Sequence, residues 1–252
     1  MKRFLFSIFL GFFLVVTQAQ KPQHYYVELK TGKGNILIQL YNETPKHRDN
    51  FKKLVNERYY DSLLFHRVIK NFMIQGGDPD SKKAADNAML GNGGPDYKIS
   101  SEIQEGLIHK KGALGAARDN NPAKQSSASQ FYIVQGHRFT NDGLDSLERF
   151  RLNGNKLSAL QREQYTTVGG APHLDGNYTV FGQVISGLEA VDIIAGAKTN
   201  AQDRPIVNER MSARLLTRRE AVNQDRILKG LKPKSGFITE FFDAFKSKKY
   251  SL

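Results

Sequence analysis

Arg67 is a permanent, forked cation set in an otherwise apolar run, Leu63-Leu64-Phe65-His66-Arg67-Val68-Ile69. Five residues later come Phe72 and Met73, then Gln75 and Gly76-Gly77. A second short run, Ser129–Val134, supplies Gln130, Phe131 and Tyr132. None of these residues is an activated nucleophile. A cation, two amide side chains and several apolar side chains can, however, hold one polypeptide geometry in preference to another. Rotation about an X–Pro peptide bond asks for no more than that. Its barrier is about 18–20 kcal/mol because the C–N bond has partial double-bond character. Uncatalysed interchange takes tens of seconds or longer. An apolar slot would take the pyrrolidine ring, amide groups would anchor the flanking backbone, and a cation would face the prolyl nitrogen. A donor to that nitrogen favours the pyramidal, twisted state over the planar amide, which is preorganised transition-state stabilisation. A ~10⁵-fold acceleration needs about 7 kcal/mol of it.

These side chains need short strands to position them. Period-two alternation predicts that Phe65 and Arg67 share one strand face. It puts Gln130 and Tyr132 together on another, with Phe131 turned into the core. Tyr25–Leu29 and Asn35–Tyr41 alternate around Thr31-Gly32-Lys33-Gly34, a hairpin signal. Further strands are expected at Gly112–Ala117, Gln130–Gln135, Tyr178–Val184 and Val207–Leu216, and a long loop from Pro79 to Pro95. Thr44-Pro45 opens a helix carrying Phe51, Leu54 and Val55, and a second helix is read at Ser186–Ala195. Many short strands with two helices suggest a closed β-barrel, which leaves no exposed edge.

Three segments in this order, FHRVIKNFMIQGGDP (Phe65–Pro79), SQFYIV (Ser129–Val134) and HLDGNYTVFGQV (His173–Val184), resemble the cyclophilin family of peptidyl-prolyl isomerases. The resemblance covers roughly residues 24–217. It implies a mainly β fold: a closed antiparallel cyclophilin-like β-barrel with two capping helices, here joined by a helical insertion and a helical C-terminal tail. It also implies roles. Arg67 matches the catalytic arginine, and Gln75 the glutamine that orients it. Phe72, Met73 and Tyr132 match proline-pocket positions, Tyr132 standing where phenylalanine is usual. Gln130 matches a substrate-backbone binder. Ala117 and Arg118, in GALGAAR, match the strip that hydrogen-bonds the substrate chain. Leu174 and Tyr178 match the pocket floor and wall, and His66 a neighbouring pocket position. His173 occupies the place of a tryptophan that contacts cyclosporin in sensitive members, so weak cyclosporin binding is expected. The chain has no Trp at all.

Other chemistries lack their residues. The histidines at 24, 47, 66, 109, 137 and 173 form no HExxH or other metal-ligand spacing, and there is no cysteine. Gly91–Gly94 is glycine-rich but has no GxxxxGK[ST] frame, and no GxSxG elbow occurs. The expected catalyst therefore uses no cofactor, no metal and no covalent intermediate, and acts on proline-containing polypeptide clients. The rival reading is a non-catalytic chaperone or scaffold that binds proline segments on the same fold. The intact set of Arg67, Phe72, Met73 and Gln75 argues against it, since a scaffold has no chemical need of that set.

Residues 1–19 look like a secretory signal: Lys2 and Arg3, then thirteen largely apolar residues from Phe4 to Val16, then Thr17-Gln18-Ala19 before a cleavage point at Gln20. Together with the bacterial-type Arg118, this points to an exported bacterial protein, periplasmic or secreted. The isomerase domain is read as residues 20–217. Within it, Arg138–Gly170 is an apparent insertion of roughly thirty residues; a loop this long usually has structure or function of its own. Leu144, Leu147 and Phe150 suggest one helix there, Leu157, Leu160 and Tyr165 another. The insertion is expected beside the substrate groove. A basic extension, 218–252, follows. Thr217-Arg218-Arg219-Glu220 is a capping box that opens a helix stopping near Gly230, and Ile238, Phe241, Phe242 and Phe245 form a second apolar stripe. The net charge of +12 is partly local, since residues 211–252 hold ten Lys or Arg and four Asp or Glu. A basic, aromatic face suits weak contact with anionic lipid or a protein partner. No aromatic–basic interleaving suggests nucleic-acid binding, and a monomer is expected.

Overall fold

A computed structural model describes residues 21–86 and 88–234. The hairpin read from Thr31-Gly32-Lys33-Gly34 joins β1 (Tyr25–Thr31) to β2 (Gly34–Leu40), with Thr31 paired to Gly34. Then come α1 (Pro45–Asn56), β3 (Leu63–Ile69), β4 (Met73–Gly76), β5 (Lys98–Ile99), β6 (Ala113–Ala116), β7 (Ser126–Ser127) and β8 (Phe131–Val134). The insertion holds α2 (Asn141–Phe150) and α3 (Ala159–Thr167). The chain then adds β9 (Val180–Ser186), α4 (Leu188–Ala195), β10 (Arg210–Leu215) and α5 (Arg218–Leu228). Eight strands close a barrel in the order β1-β10-β3-β4-β8-β6-β9-β2, every pairing antiparallel, while β5 and β7 form a small separate ribbon. Closure removes the exposed edges that an open sheet would leave.

The barrel interior is apolar. Val27, Leu29, Ile36, Ile38, Leu114, Phe131 and Ile133 fill it, and Phe51 of α1 and Val191 and Ile194 of α4 join the same cluster. These are the two capping helices: α1 packs on β9 and β10, α4 on β2, β3 and β4. Thr44 stands at the start of α1 as the sequence predicts, but its side chain caps nothing and its hydroxyl is buried without a partner. Glu102, from a distant loop, caps the helix instead. Its carboxylate accepts from the amides of Lys46 (3.0 Å) and His47 (2.9 Å). A carboxylate at a helix N-terminus also opposes the positive end of the dipole.

The insertion is a small folded unit. Thr140 caps α2, and Ser158 with Gln161 forms a capping box on α3. Leu144, Leu157 and Tyr165 make its core. Phe150 and Leu160, read as parts of apolar stripes, are 74% and 59% exposed, and Leu157 lies ahead of α3 rather than in it. Glu148, by contrast, is buried and accepts from Leu157 N (3.0 Å), Lys156 Nζ (2.8 Å) and Arg162 Nη1 (2.8 Å). The capping box at Thr217 and Glu220 opens α5 as read. That helix folds back on the first strand, where Asp225 accepts from the Tyr26 hydroxyl (2.7 Å) and meets His24 Nδ1 (3.0 Å). The signal-like residues 1–19 and the stripe at 238–245 lie outside the described residues. Among the described residues no helix is long and apolar enough to cross a membrane.

Candidate active site

A second apolar cluster sits on the outer face of the barrel wall. Met73, Ala113, Ala117, Tyr132, Val134, Ala171, Leu174 and Val180 are its buried members, with Phe72 and Tyr178 packed at its margin. The alternation of β4 and β8 explains the division. Ile74, Phe131 and Ile133 point inward, whereas Met73, Gln75, Tyr132 and Val134 point out.

Arg67 reaches this outer face by a device that simple alternation misses. Phe65 pairs with Gly76 and Arg67 with Gln75, so two residues of β3 advance against one of β4. His66 is the extra residue of a β-bulge. Phe65 therefore turns into the barrel core, only 1% exposed, while Arg67 turns outward. The expectation that they share a face fails for that reason. Arg67 Nη1 donates to Gln75 Oε1 (3.4 Å), and its Nε lies 3.6 Å from the Asp203 carboxylate. Gln75 Nε2 in turn donates to Gln130 Oε1 (3.1 Å). Gln130 is buried, and its Nε2 donates to the carbonyls of Gly91 (2.9 Å) and Gly93 (2.8 Å). Asp78, fully buried, accepts from Gly91 N in the same loop. The guanidinium thus stands at the end of a relay of amides anchored in the Gly91–Gly93 loop. The Gln130 side chain is committed to that relay.

Beneath the apolar cluster runs a polar one that sequence reading missed. The Tyr132 hydroxyl is 2.9 Å from His109 Nε2, and His109 Nδ1 is 2.8 Å from Asp175 Oδ1. Asp175 also accepts from His109 N (2.9 Å), Gln161 Nε2 (2.9 Å) and the Tyr165 hydroxyl (2.5 Å). His109 is completely buried. Burial raises the Asp175 pKa, but the His109 and Tyr165 hydrogen bonds outweigh it and leave the carboxyl below its ordinary value. Tyr165 is pushed well above the ordinary phenol value by burial, then by Asp175, so it remains a donor. The chain Tyr132–His109–Asp175–Tyr165 ties the pocket floor to α3 of the insertion. A Tyr in place of the family's usual Phe at 132 was its only signal in the sequence.

The remaining predicted residues, His66 excepted, are found around this floor. Leu174 lies in a 3₁₀ turn, Pro172–Leu174, and is buried in the outer cluster. Tyr178 meets Tyr132 edge to face at 6.0 Å. The Arg118 guanidinium lies 4.7 Å over the Tyr178 ring and donates to Asn177 O (2.9 Å). Ala117 spends both main-chain groups within the fold, on Gln130 O (3.0 Å) and Ser127 N (2.8 Å). His173 stacks obliquely on Phe72, ring centres 5.2 Å apart. Burial lowers its pKa to about 4, with help from Arg151. His66 is buried beside the Gly91 loop with neither ring nitrogen hydrogen-bonded, and burial lowers its pKa to about 4. Gly115 pairs with Tyr132 on β8, and a Cβ there would fall 2.2 Å from the ring's Cζ, so only glycine lets the ring lie over β6. Asp203, opposite Arg67, was not foreseen, because it comes from a loop more than 130 residues away in sequence. Among the described residues no group of three His, Asp or Glu converges as a metal site would require.

A closed eight-stranded antiparallel barrel capped by two helices is the fold of the cyclophilin-type prolyl isomerases. The family profile described as cyclophilin type peptidyl-prolyl cis-trans isomerase/CLD matches residues 26–214. The peptidyl-prolyl cis-trans isomerase ppi1 of Schizosaccharomyces pombe is 35% identical over 182 residues, which are 71% of this chain and 91% of that one. A Streptococcus pyogenes protein assigned as a bifunctional phosphatase/peptidyl-prolyl cis-trans isomerase is 36% identical over 182 residues, 71% of this chain but only 36% of that longer protein. A Cryptosporidium parvum cyclophilin type peptidyl-prolyl cis-trans isomerase superposes with a TM-score of 0.57 at 23% identity, covering 77% of this chain and 98% of that one, a likeness of fold. The chain belongs to the cyclophilin-type peptidyl-prolyl cis-trans isomerase family, and is an enzyme of that kind.

Proposed function

We propose that Arg67 accelerates X–Pro rotation by stabilising the twisted amide while Phe72, Met73 and Tyr132 hold the proline ring. The observation that carries this is the guanidinium's position. It is fixed by Gln75 and Asp203 at the border of the outer apolar cluster, and it remains 45% exposed and so open to a substrate. Gln75 sits opposite Tyr132 on the neighbouring strand and two residues from Met73, so cation and pocket share one face. As the peptide bond twists, the prolyl nitrogen gains a lone pair and becomes an acceptor, while the planar amide nitrogen is none. A donor aimed at that nitrogen acts in the transition state more than in the ground state. The main-chain N–H and C=O of Arg118 make no hydrogen bond among the described residues, unlike those of Ala117, and would pair with an extended substrate. No proton is transferred and no bond is broken.

The clients are taken to be proline-containing chains folding outside the cytoplasm. The basic and then apolar composition of residues 1–19 supports that address. The test is cis-to-trans isomerisation of Ala-Xaa-Pro-Phe peptides by the protein lacking residues 1–19, compared with Arg67→Ala. Loss of one preorganised donor should lower kcat/KM by ~10²–10³, with thermal unfolding unchanged within the range of a surface substitution. A folded Arg67→Ala protein of undiminished activity would sink the mechanism. Binding without acceleration by the parent protein would favour the scaffold reading. Export is checked separately, by the N-terminal sequence of protein recovered from a secreting bacterial host.

A further inference from the structure

Phe72 and His173 face more than the proline cluster. On their far side, against the insertion, lies a cavity of about 300 Å³. Its apolar walls are Phe72, Phe139 and Leu147, its polar ones His137, His173 and Arg151. Among the described residues no acidic side chain lines it. Arg151 follows the last residue of α2, is exposed, and its guanidinium has no hydrogen bond or ion pair among the described residues. It stands close enough to His173 to oppose protonation of that ring. Arg151 and His173 also border a second, more polar cavity of about 560 Å³ that runs on between the insertion and residues 103–107.

The insertion that builds this wall is fixed. Gln161 and Tyr165 of α3 hold Asp175, which lies two residues after His173. At its other end, Gly136 and Gly170 approach so closely that a Cβ on Gly136 would fall 2.4 Å from Gly170 Cα. Gly136 has φ of +61°, a conformation that glycine adopts at no steric cost. The Gly170 amide donates to His137 O (3.0 Å). The cavity is therefore a preformed feature rather than a chance gap under a loose loop.

We infer that this cavity is a subsite for the polypeptide that follows the proline, taking a large apolar side chain at the next position and a carboxylate-bearing residue after it. Two observations choose the occupant. First, Phe72 belongs to both the proline cluster and the cavity wall, so a chain leaving the proline slot meets the cavity within one residue, about 3.5 Å along an extended backbone. Second, among the described residues the only formal charge on the wall is the unpaired Arg151 cation, and its complement is a carboxylate. The larger polar cavity gives the chain a path onward. This subsite rests on the proposed placement of proline against Phe72, Met73 and Tyr132.

The test compares Ala-Ala-Pro-Phe-Asp-amide, Ala-Ala-Pro-Phe-Lys-amide and Ala-Ala-Pro-Gly-Asp-amide. Isomerisation is read by NMR exchange and affinity by titration, on the parent, Arg151→Glu and Arg67→Ala. The parent is expected to favour the Asp over the Lys peptide by about threefold to fivefold in affinity, as a half-solvated ion pair gives. Replacing Phe by Gly should cost about tenfold to a hundredfold, the burial of one aromatic side chain. Arg151→Glu should reverse the Asp-over-Lys preference. Arg67→Ala should lose isomerisation yet keep the affinity order. A parent that binds all three peptides alike, or a preference that Arg151→Glu leaves as it was, overturns the subsite. An Arg67→Ala protein that isomerises as fast as the parent, with the affinity order intact, would instead overturn the role of Arg67 and leave the subsite standing.

Discussion

Tyr165→Phe isolates the link between insertion and pocket. The substitution keeps the ring, which meets Phe139 at 6.5 Å and lies against Gly170, and removes only the hydroxyl that donates to Asp175. A hydrogen bond to a charged group contributes about 1.5–3 kcal/mol. Asp175 would still accept from His109 N, His109 Nδ1 and Gln161 Nε2, so its charge would not be left bare. The lower end of the range, about 1.5 kcal/mol, is therefore expected. For a domain of this size each kcal/mol moves Tm by ~2–4 °C, which gives a fall of roughly 3–6 °C. Circular dichroism melts and urea titrations would measure it, and the urea m-value should not change, because the same surface is exposed on unfolding. Tyr165 bonds Asp175 and makes no contact with Arg67 or Gln75, so the effect should appear in stability before it appears in turnover. A melt within 1 °C of the parent would refute the claim that this hydroxyl holds the carboxylate. A loss of many kcal/mol would refute it differently, by showing that the three remaining donors cannot hold Asp175.

Two further outcomes are expected. Gly115→Ala forces the Tyr132 ring from its seat, and overpacking of this kind costs about 1–3 kcal/mol. Calorimetry should show the loss and peptide kinetics a raised KM, whereas an unchanged Tm and KM would mean that the ring has another resting place. His66, held near 4 against an ordinary 6.5, binds its proton more readily in the unfolded chain than in the folded one. Stability is complete above pH 6.5 and falls as pH drops toward 4, by up to roughly 3 kcal/mol for this residue at about 1.4 kcal/mol per pH unit. His66→Leu should flatten the Tm-against-pH curve across that window. An equally steep curve would place the acid sensitivity in other groups, such as His173 or His47.

What could be read from the residues is what local chemistry dictates. The hairpin at Thr31–Gly34 and the capping box at Thr217–Glu220 are written within four residues each, and both stand where read. The division between Phe131, turned into the core, and Tyr132, turned outward, was legible because a strand's period of two assigns faces without knowledge of the partner strands. The bulge at His66 was not, since an extra residue is invisible until β4 is laid beside β3. The cap of α1 was misread for a related reason, Glu102 being more than fifty residues from the helix it caps. Asp203 and the His109–Asp175 pair are brought to the site by the barrel's closure, and no spacing announces them. His109 fits no metal-ligand spacing, and its partners, a phenol and a single carboxylate, leave no pattern in the sequence. Phe150 and Leu160 show the opposite error, where apolar identity suggested burial and both are exposed, while the charged Glu148 is buried.

The pairing of β1 with β10 has a consequence for how the chain is made. Val27 meets Leu215 and Thr31 meets Met211, so the seam of the barrel joins residues separated by some 180 positions. A ribosome that has released β1 must synthesise nearly the whole domain before its neighbour exists, and α5, which fastens Tyr26 and His24, comes later still. Until then β1 has β2 on one side and nothing on the other. Such a nascent chain cannot lock into its final form partway through synthesis, and closure of the ring is a late, single event. A pulse-labelled chain stopped at residue 205 should accordingly remain open to protease, while one extended to residue 230 should resist it.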